Sequence, residues 1–266
     1  MRDTFDRDIT YLRISVTDKC NLRCTYCMPP EGVPYVPHRK LLRHEEIVAI
    51  VTEAVALGIT KVRLTGGEPL VRRGIVELVR MIAGIPGIEL IAMTTNGVLL
   101  PQFARPLKEA GLDRLNISLD TLDPDRYRQI TLGGSLPDAI AGIDAAIAAG
   151  FSGTKINMVV LDDTSEAEID RIAEFCRARN LILQRIAEYN LDEAKRDFVG
   201  VERPLPCREC NRIRLLSDGT IKPCLHSNIE IPVQRDNIRE SLIEAIRRKP
   251  EYGTVCNNRG MMQIGG

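Results

Sequence analysis

Short apolar runs alternate with amphipathic segments over the first two thirds of the chain. Six runs rich in β-branched residues are separated by stretches in which apolar residues recur at helical spacing. The runs read YLRISVT, KVRLT, IELIAMT, RLNIS, TKINMVV and LILQRI, from Tyr11 to Ile186. Because nearly continuous apolar strands that alternate with helices are typical of parallel sheets, the pattern predicts an α/β fold, either a partial barrel or a doubly wound sheet.

Local signals support individual helices. Ile47 and Val51 fall on one face of the first predicted helix, and Gly58 follows at the position of a C-terminal cap. Ser165 and Glu168 form a capping-box pattern at the start of another helix. These helices are therefore predicted to begin or end at defined residues.

The pattern changes near residue 190. The later stretch RIRLLSDGTIKPCL predicts a hairpin that turns at Asp218-Gly219, and one more helix is predicted near Arg239 to Lys249. We therefore divide the chain into a barrel-like domain over residues 5–190 and a C-terminal region over residues 191–266.

Composition limits the classes of function. At 266 residues and 44% apolar content the chain can bury a large core, and 36 basic residues balance 36 acidic ones. A balanced charge predicts no attraction to nucleic acid or an anionic membrane, although a local basic pocket for a phosphorylated ligand remains open. The charged N-terminus and the absence of a long apolar run predict a cytoplasmic protein, in which clustered cysteines serve as metal ligands or catalytic groups.

Three of the eight cysteines lie within a stretch of eight residues. Cys20, Cys24 and Cys27, in CNLRCTYC, follow the first predicted strand, where the active sites of barrels gather. A structural zinc site closes with four protein ligands, whereas three thiolates can hold three irons of a cubane cluster and leave the fourth iron open. The spacing therefore favours an iron–sulfur cluster with an open position, and a zinc site is the alternative.

Polar and glycine-rich segments end the next three strands. Gly66-Gly67-Glu68-Pro69 follows the second strand, Thr94-Thr95-Asn96-Gly97 ends the third, and Ser118-Leu119-Asp120 ends the fourth. Hydroxyl, amide and carboxylate groups would then converge on the same end of the sheet as the cysteines. Considered without the cysteines, these residues fit caps and turns equally well.

A second set of three cysteines, Cys207, Cys210 and Cys224, lies in the C-terminal region. Cys176 shares a helical face with apolar residues and is predicted to pack in the core. For Cys256 an incidental, packed or exposed position is the preferred interpretation, and a fourth ligand to a second cluster is the alternative. The three histidines lack ligand-like spacing and are not predicted to bind metal.

These motifs resemble two nested families. CxxxCxxC with an aromatic residue before the last cysteine resembles the radical S-adenosylmethionine superfamily. The segments LRISVTDKCNLRCTYCMP, KVRLTGGEPLVRR, TTNG, LNISLDTLD, KIN, CNRIRL and the terminal Gly-Gly resemble the GTP 3′,8-cyclase family, molybdenum cofactor biosynthesis protein A, almost from end to end. The resemblance implies an incomplete parallel (βα)6 TIM-like barrel with a C-terminal extension that binds a second cluster. It also implies a lyase that converts GTP to (8S)-3′,8-cyclo-7,8-dihydroguanosine 5′-triphosphate in molybdenum cofactor (molybdopterin) biosynthesis.

The resemblance further implies roles for individual residues. It implies two 4Fe-4S clusters, one on each cysteine set, with S-adenosylmethionine on the open iron of the first and the guanine ring on the second. Residues that match the family's S-adenosylmethionine contacts are Tyr26, Gly66, Gly67, Glu68, Pro69, Ser118 and Asn190. Residues that match its GTP contacts are Arg13, Arg63, Thr94, Lys155, Arg212 and Arg214. Residues that match its catalytic set are Arg212, Arg214, Gly265 and Gly266.

The implied partners are GTP and an external electron donor, and a homodimer is compatible with the sequence. The chain departs from the family before its second cysteine set, where relatives carry several dozen more residues and where a methionine contact aligns with Asn190. This departure leaves open a radical enzyme of the same build that acts on another substrate, such as a peptide. A non-catalytic zinc-binding protein is the more distant alternative.

Overall fold

One sheet organises the protein, whose computed structural model describes residues 1–28, 32, 36–195, 200–202 and 206–265. Its strands are β1 (Tyr11–Ser15), β2 (Lys61–Thr65), β3 (Leu90–Thr95), β4 (Arg114–Ser118), β5 (Lys155–Val160), β6 (Ile182–Ala187), β7 (Arg212–Leu215), β8 (Thr220–Lys222) and β9 (Ile231–Pro232). Its α-helices are α1 (His44–Ala56), α2 (Ile75–Ala83), α3 (Leu100–Glu109), α4 (Pro124–Thr131), α5 (Leu136–Ala148), α6 (Glu166–Ala178), α7 (Ile238–Arg247) and α8 (Met261–Ile264). Over these described ranges, every helix falls short of the length and apolar content that crossing a membrane requires.

The six predicted strands pair in parallel and in chain order, from β1 to β6. Helices α1 to α6 connect them, as parallel strands require crossover connections. Strand β6 is one end of the strand order, so in the described part of the chain the barrel does not close. The prediction of an incomplete parallel (βα)6 barrel is confirmed.

Residues of β1 alternate between two environments. Leu12 and Ile14 have no exposed surface and belong to the hydrophobic core formed with the helices. Tyr11 and Arg13 instead line a cavity on the other face of the sheet. Because successive side chains of a strand point to opposite faces, this alternation gives the barrel a polar interior.

The local sequence signals correspond to real helix ends. Gly58 follows the last turn of α1 with φ +92°, a conformation that favours glycine. Ser165 and Glu168 form the capping box of α6. Cys176 is 2% exposed and packs in the core, as predicted, and α7 coincides with the predicted C-terminal helix.

The C-terminal hairpin continues the barrel sheet. Strands β7 and β8 pair in antiparallel fashion, as predicted. Strand β7 also pairs in parallel with β1, so that Arg212 lies opposite Tyr11 and Arg214 lies opposite Arg13. The sequence pattern does not predict this pairing. The division of the chain near residue 190 stays a prediction, since the strands on both sides of it share one sheet.

Candidate active site

The first cysteine loop leaves the carboxyl end of β1 and borders a cavity of about 1050 Å³ that is partly open to solvent. The amides of Cys27 and Met28 both donate to the carbonyl oxygen of Cys24 at 3.0 Å, which turns the loop tightly. The three thiols therefore line one space. Predicted residues that line the same space are Tyr26, Gly66, Gly67, Glu68, Thr94, Thr95, Asn96 and Ser118.

The glycine pair packs against the backbone of the cysteine loop. A Cβ at Gly66 would lie 2.3 Å from the carbonyl oxygen of Thr17, and one at Gly67 would lie 2.4 Å from that of Lys19. The Gly67 amide donates to the Thr17 oxygen at 2.8 Å, and the Glu68 amide donates to the Lys19 oxygen at 2.8 Å. Positions 66 and 67 therefore exclude side chains because the glycine motif is hydrogen-bonded to the cysteine loop. The approach of a ligand would be a second reason.

Glu68 presents a buried carboxylate to this cavity. It is 1% exposed and accepts hydrogen bonds from the Leu70 amide at 3.0 Å, the Thr95 hydroxyl at 2.8 Å and the Asn96 amide at 2.7 Å. Burial raises the pKa of Glu68 to about 7 despite these donors. Pro69 starts a short 3-10 helix and is buried, and it is not among the residues that line the cavity. The carboxylate is therefore the group of this motif suited to meet a cation.

Tyr26 ties the cysteine loop to the opposite wall. Its hydroxyl donates a 2.7 Å hydrogen bond to Oδ2 of Asp120, and Oδ1 of Asp120 accepts from the Val159 amide at 2.8 Å. Burial raises the pKa of Asp120 to about 6. The acidic residue at the end of β4 thus holds the loop to β5, a structural role for part of the segment Ser118-Leu119-Asp120.

The first three thiols suit a cluster better than a single ion. Burial, followed by the nearby charge of Asp120, raises the pKa of Cys24 to about 12, and burial raises the pKa of Cys20 and Cys27 as well. In the parts of the chain that the structure describes, no three His, Cys, Asp or Glu side chains meet around one point that a metal ion would occupy. Thiolates that each bind a different iron need not meet in this way, and a bound metal displaces the thiol protons.

The second cysteine set borders a separate cavity of about 530 Å³, at the amino end of β7. Cys207, Cys210 and Cys224 all line it. The cationic residues around it are Arg7, Lys195, Arg212, Arg214 and Lys249. The first cavity, by contrast, is lined by the carboxylates Glu68 and Glu188 and by no Lys, Arg or His of the described segments.

The cations around the second cavity affect the pKa of one of its thiols. Burial alone would raise the pKa of Cys210, but the neighbouring charges of Lys249 and Arg212 lower it to about 6. At Cys210 the second cavity therefore favours a thiolate even without metal, whereas burial raises the pKa of Cys224. Both sets of three thiols fit the donor set of an iron–sulfur cluster that leaves one iron without a protein ligand.

Three arginines form a row across the interior face of the sheet. Arg214 of β7, Arg13 of β1 and Arg63 of β2 occupy matching register positions. They line a third cavity of about 570 Å³, together with Tyr11 and Thr94. Arg63 donates to the Thr94 hydroxyl at 3.2 Å and to the Tyr11 hydroxyl. The row places several positive charges within the barrel.

Burial and like charge both act against the charged forms of the arginines in this row. Burial, together with the neighbouring arginine charges, lowers the pKa of Arg13 well below its usual value and that of Arg214 to about 10. Like charges in a buried site oppose one another unless a counter-charge occupies the space between them. The third cavity therefore suits a polyanionic ligand, such as a triphosphate.

The chain end reaches this row. The carbonyl oxygen of Gly265 accepts from Arg214 at 2.9 Å and from Arg13 at 3.3 Å. Gly265 has φ +71°, and a Cβ there would lie 2.3 Å from the hydroxyl of Thr65, which lines the first cavity. The predicted catalytic Gly265 thus sits between two cavities. Gly266 lies outside the described residues.

Besides Pro69, two predicted contacts lie away from the cavities. Lys155 donates to Gln184 at 3.2 Å and is not among the residues that line the third cavity, although Gln184 is. Asn190 is exposed, its amide donates to Glu193 at 3.0 Å, and it does not line the first cavity. The geometry gives no support to an S-adenosylmethionine contact at Asn190, because its side chain bonds within its own turn.

Cys256 packs beneath the chain end. It is 1% exposed and belongs to a small apolar cluster with Leu216, Leu225 and Ile264. It is not among the residues that line the second cavity. The packed interpretation is thus the one that the structure supports.

Sequence reasoning missed three aromatic or heteroaromatic residues. Tyr189 lines all three cavities, and its ring centroid lies 5.8 Å from that of His226, which lines the second cavity. Tyr11 lines the third cavity. Tyr189 follows the end of β6 by two residues, and this strand-end position is the signal that could have identified it.

Residues 14–176 match the Radical SAM superfamily. With its parallel partial barrel and three-cysteine loop, the chain belongs to this superfamily. It is 41% identical to the GTP 3′,8-cyclase of Alkaliphilus oremlandii (strain OhILAs) over 320 aligned positions, and 40% identical to that of Alkaliphilus metalliredigens (strain QYMF) over 321, with 100% of each chain covered. Within the superfamily it belongs to the GTP 3′,8-cyclase family. Iron–sulfur clusters and S-adenosylmethionine are accordingly its cofactors.

A solved structure and the alignment length add two facts. The fold resembles that of Streptococcus suis SuiB bound to S-adenosylmethionine, with a TM-score of 0.68 and 16% identity over 92% of this chain. It covers 65% of SuiB, which is less than two thirds. The first alignment has 320 positions and this chain has 266 residues, so about 54 positions (320 minus 266) hold no residue of this chain. This shortfall agrees with the several dozen missing residues inferred from the sequence.

Proposed function

We propose that this protein converts GTP to (8S)-3′,8-cyclo-7,8-dihydroguanosine 5′-triphosphate, the first step toward molybdopterin. Sequence identity of 40–41% to GTP 3′,8-cyclases over the full chain supports this substrate. The observation that carries the proposal is the row of Arg214, which is buried, and of Arg13 and Arg63, which are half-buried, between two cysteine-lined cavities. A row of guanidinium groups inside the barrel suits a triphosphate, whose oxygens match their paired donors.

Each cysteine set would hold one 4Fe-4S cluster, Cys20, Cys24 and Cys27 the first, and Cys207, Cys210 and Cys224 the second. When S-adenosylmethionine is bound, it supplies one-electron chemistry that abstracts hydrogen from the substrate. The Glu68 carboxylate would accept from the ammonium group of this cofactor. The residues that would line its site are Tyr26, Gly66, Gly67 and Ser118.

The nucleotide would occupy the third cavity. This cavity shares Thr94 and Tyr189 with the first cavity and shares Arg212, Arg214 and Tyr189 with the second. A ligand held there by its phosphates therefore has both cofactor sites as neighbours. The family resemblance assigns the guanine ring to the second cluster and the hydrogen abstraction to the ribose C3′. The Gly265 carbonyl would orient Arg13 and Arg214 toward the substrate.

The remaining assignments extend this proposal. An external one-electron donor would reduce the first cluster. The protein would act in the cytoplasm, because thiols stay reduced in that compartment and can serve as iron–sulfur ligands. A homodimer, and the absence of nucleic acid and membrane partners, stay predictions. Lys155 and Gly266 stay predicted GTP and catalytic residues, respectively.

A radical enzyme of the same build with another substrate is the second candidate. The observations that favour it are the roughly 54 alignment positions without a residue of this chain and the outward-facing Asn190. The arginine row weighs against it, because guanidinium groups in a row suit the phosphates of a nucleotide better than a peptide.

Anaerobic turnover with dithionite, S-adenosylmethionine and GTP tests the proposal. The cyclised dihydro product is an isomer of GTP, so chromatography must separate the two nucleotides before mass analysis. We expect one new nucleotide with the mass of GTP, and none when ATP replaces GTP. Cleavage of S-adenosylmethionine with GTP unchanged would favour the second candidate. Zinc without iron in the anaerobically purified protein would favour the non-catalytic alternative.

A further inference from the structure

Lys249 is a buried cation that bonds the second cysteine loop. It is 2% exposed, and its ammonium group lies 3.4 Å from Sγ of Cys210. It also donates to the carbonyl oxygen of Arg212 at 2.7 Å and to that of Pro223 at 2.9 Å. One side chain thus joins the strand that follows Cys210 to the residue that precedes Cys224.

Within the described parts of the chain, Lys249 has no carboxylate as its counter-charge. Among the described residues, no carboxylate lies within ion-pair distance of Lys249. Burying an ammonium group without a negative partner is costly, so buried lysines are normally paired. The group that Lys249 does face is the sulfur of Cys210, which binds iron as a thiolate and so supplies negative charge at this contact.

Lys222 shows what a structurally compensated lysine looks like in the same region. It has no exposed surface and donates to the Ser227 carbonyl at 2.7 Å and to the Asn258 side chain at 3.2 Å. Glu230 lies 3.4 Å away and supplies its counter-charge. The two lysines are therefore matched in burial and in number of hydrogen-bond acceptors, and they differ in what balances their charge.

We infer that Lys249 is a positioning residue for the second cluster, which holds Cys210 and Cys224 at a fixed separation and uses the cluster as its counter-charge. This inference rests on the second cluster of the proposed function. A cation beside a ligating sulfur stabilises the reduced, more negative cluster, because net charge and hydrogen bonds to sulfur set the reduction potential. Removal of the charge should therefore lower the midpoint potential of this cluster.

The test uses the full chain with Cys20, Cys24 and Cys27 replaced by Ala, so that only the second cluster remains. Lys249→Met, Lys249→Arg and the control Lys222→Met are compared in that background. Iron content and the midpoint potential, from paramagnetic resonance during a dithionite titration, are the two measurements. We expect Lys249→Met to lower the midpoint potential of the second cluster. Lys249→Arg should keep the potential close to that of the background protein, and Lys222→Met should leave it unchanged.

Each outcome decides the inference. An unchanged potential in Lys249→Met, or an equal shift in Lys222→Met, overturns it. Lys249→Met could lose most of its iron. In that case, iron retained by Lys249→Arg would support a positioning role for the positive charge, and loss of iron in both variants would overturn the inference. A background protein that already lacks iron would refute the second cluster itself, which separates failure of the proposed function from failure of this inference.

Discussion

Arg214 donates a 2.9 Å hydrogen bond to the carbonyl oxygen of Gly265, so the end of the chain reaches the interior of the barrel. This contact and the one from Arg13 join Gly265 to two arginines that line the third cavity. The tail thereby links the arginine row to Thr65 of the first cavity, and changes at Gly265 should affect chemistry more than folding.

Gly265→Ala should reduce turnover of GTP at least tenfold. The new Cβ would lie 2.3 Å from the Thr65 hydroxyl at a residue with φ +71°, so the tail must move away from the arginines. Product formation and thermal unfolding are the measurements, and we expect little change in the melting temperature. Gly150→Ala is the matched control, because Gly150 has φ +80° but open space around it. Equal losses in both variants would show that backbone strain, rather than the tail contact, is responsible.

Anaerobic reconstitution should give about eight irons per chain, as two 4Fe-4S clusters require. Replacing Cys20, Cys24 and Cys27 by Ala should halve this content, because the two cysteine sets line separate cavities. Iron analysis and visible absorption check the result. Complete loss of iron in the triple variant would contradict two independent clusters.

Arg212→Ala and Arg214→Ala should weaken GTP binding by roughly ten- to a hundredfold each, since a hydrogen bond to a charged group contributes about 1.5 to 3 kcal/mol. Cleavage of S-adenosylmethionine without GTP should persist, because neither arginine lines the first cavity. Calorimetric GTP titration and product analysis measure the two effects. Arg247→Ala, at a side chain that is 64% exposed, is the control and should leave both unchanged.

Affinity for S-adenosylmethionine should fall as the pH is lowered through about 7. Burial raises the pKa of Glu68 to about 7, and only its ionised form attracts the cofactor's ammonium group. The ionised fraction is largest above the pKa, so affinity should drop roughly tenfold from pH 8 to pH 6. Titrations of reconstituted protein at both values check this. Glu68→Gln should bind weakly and lose most of the pH dependence, and an unchanged dependence would assign it to another group.

Cys256→Ala should leave the paramagnetic signal of the second cluster unchanged and lower the free energy of unfolding by about 1 kcal/mol. Cys256 is 1% exposed in an apolar cluster rather than at the cavity of the second set. Spectra of the reconstituted variant and denaturant unfolding test both statements. A clear spectral shift would identify Cys256 as a fourth ligand after all.

Much of the fold and of the cluster sites could be predicted because the relevant signals are local. Each of the six parallel strands has its own apolar run, and each cysteine set occupies a short stretch of chain. The capping box at Ser165 and Glu168 is likewise contained in four residues. Such features need no knowledge of which strands become neighbours.

The relationships between sites could not be predicted in this way. Arg13, Arg63 and Arg214 form a row only because β7 pairs with β1 and β1 pairs with β2, which the chain order does not reveal. The family resemblance implies that the glycine pair contacts a ligand, whereas the nearest obstacle to a side chain is the backbone of Thr17 and Lys19. The family resemblance implies a cofactor contact at Asn190, but its side chain bonds within its own turn.

The pairing of β7 with β1 also bears on how such an enzyme can change in length. The second cysteine set takes its position from β1, which carries the first set, and not from β6, which precedes it in the chain. The stretch between β6 and Cys207 can therefore become shorter in evolution while the distance between the two cofactor sites is preserved. A slip of β7 by a single residue would be far more damaging, because it would turn Arg212 and Arg214 to the opposite face of the sheet.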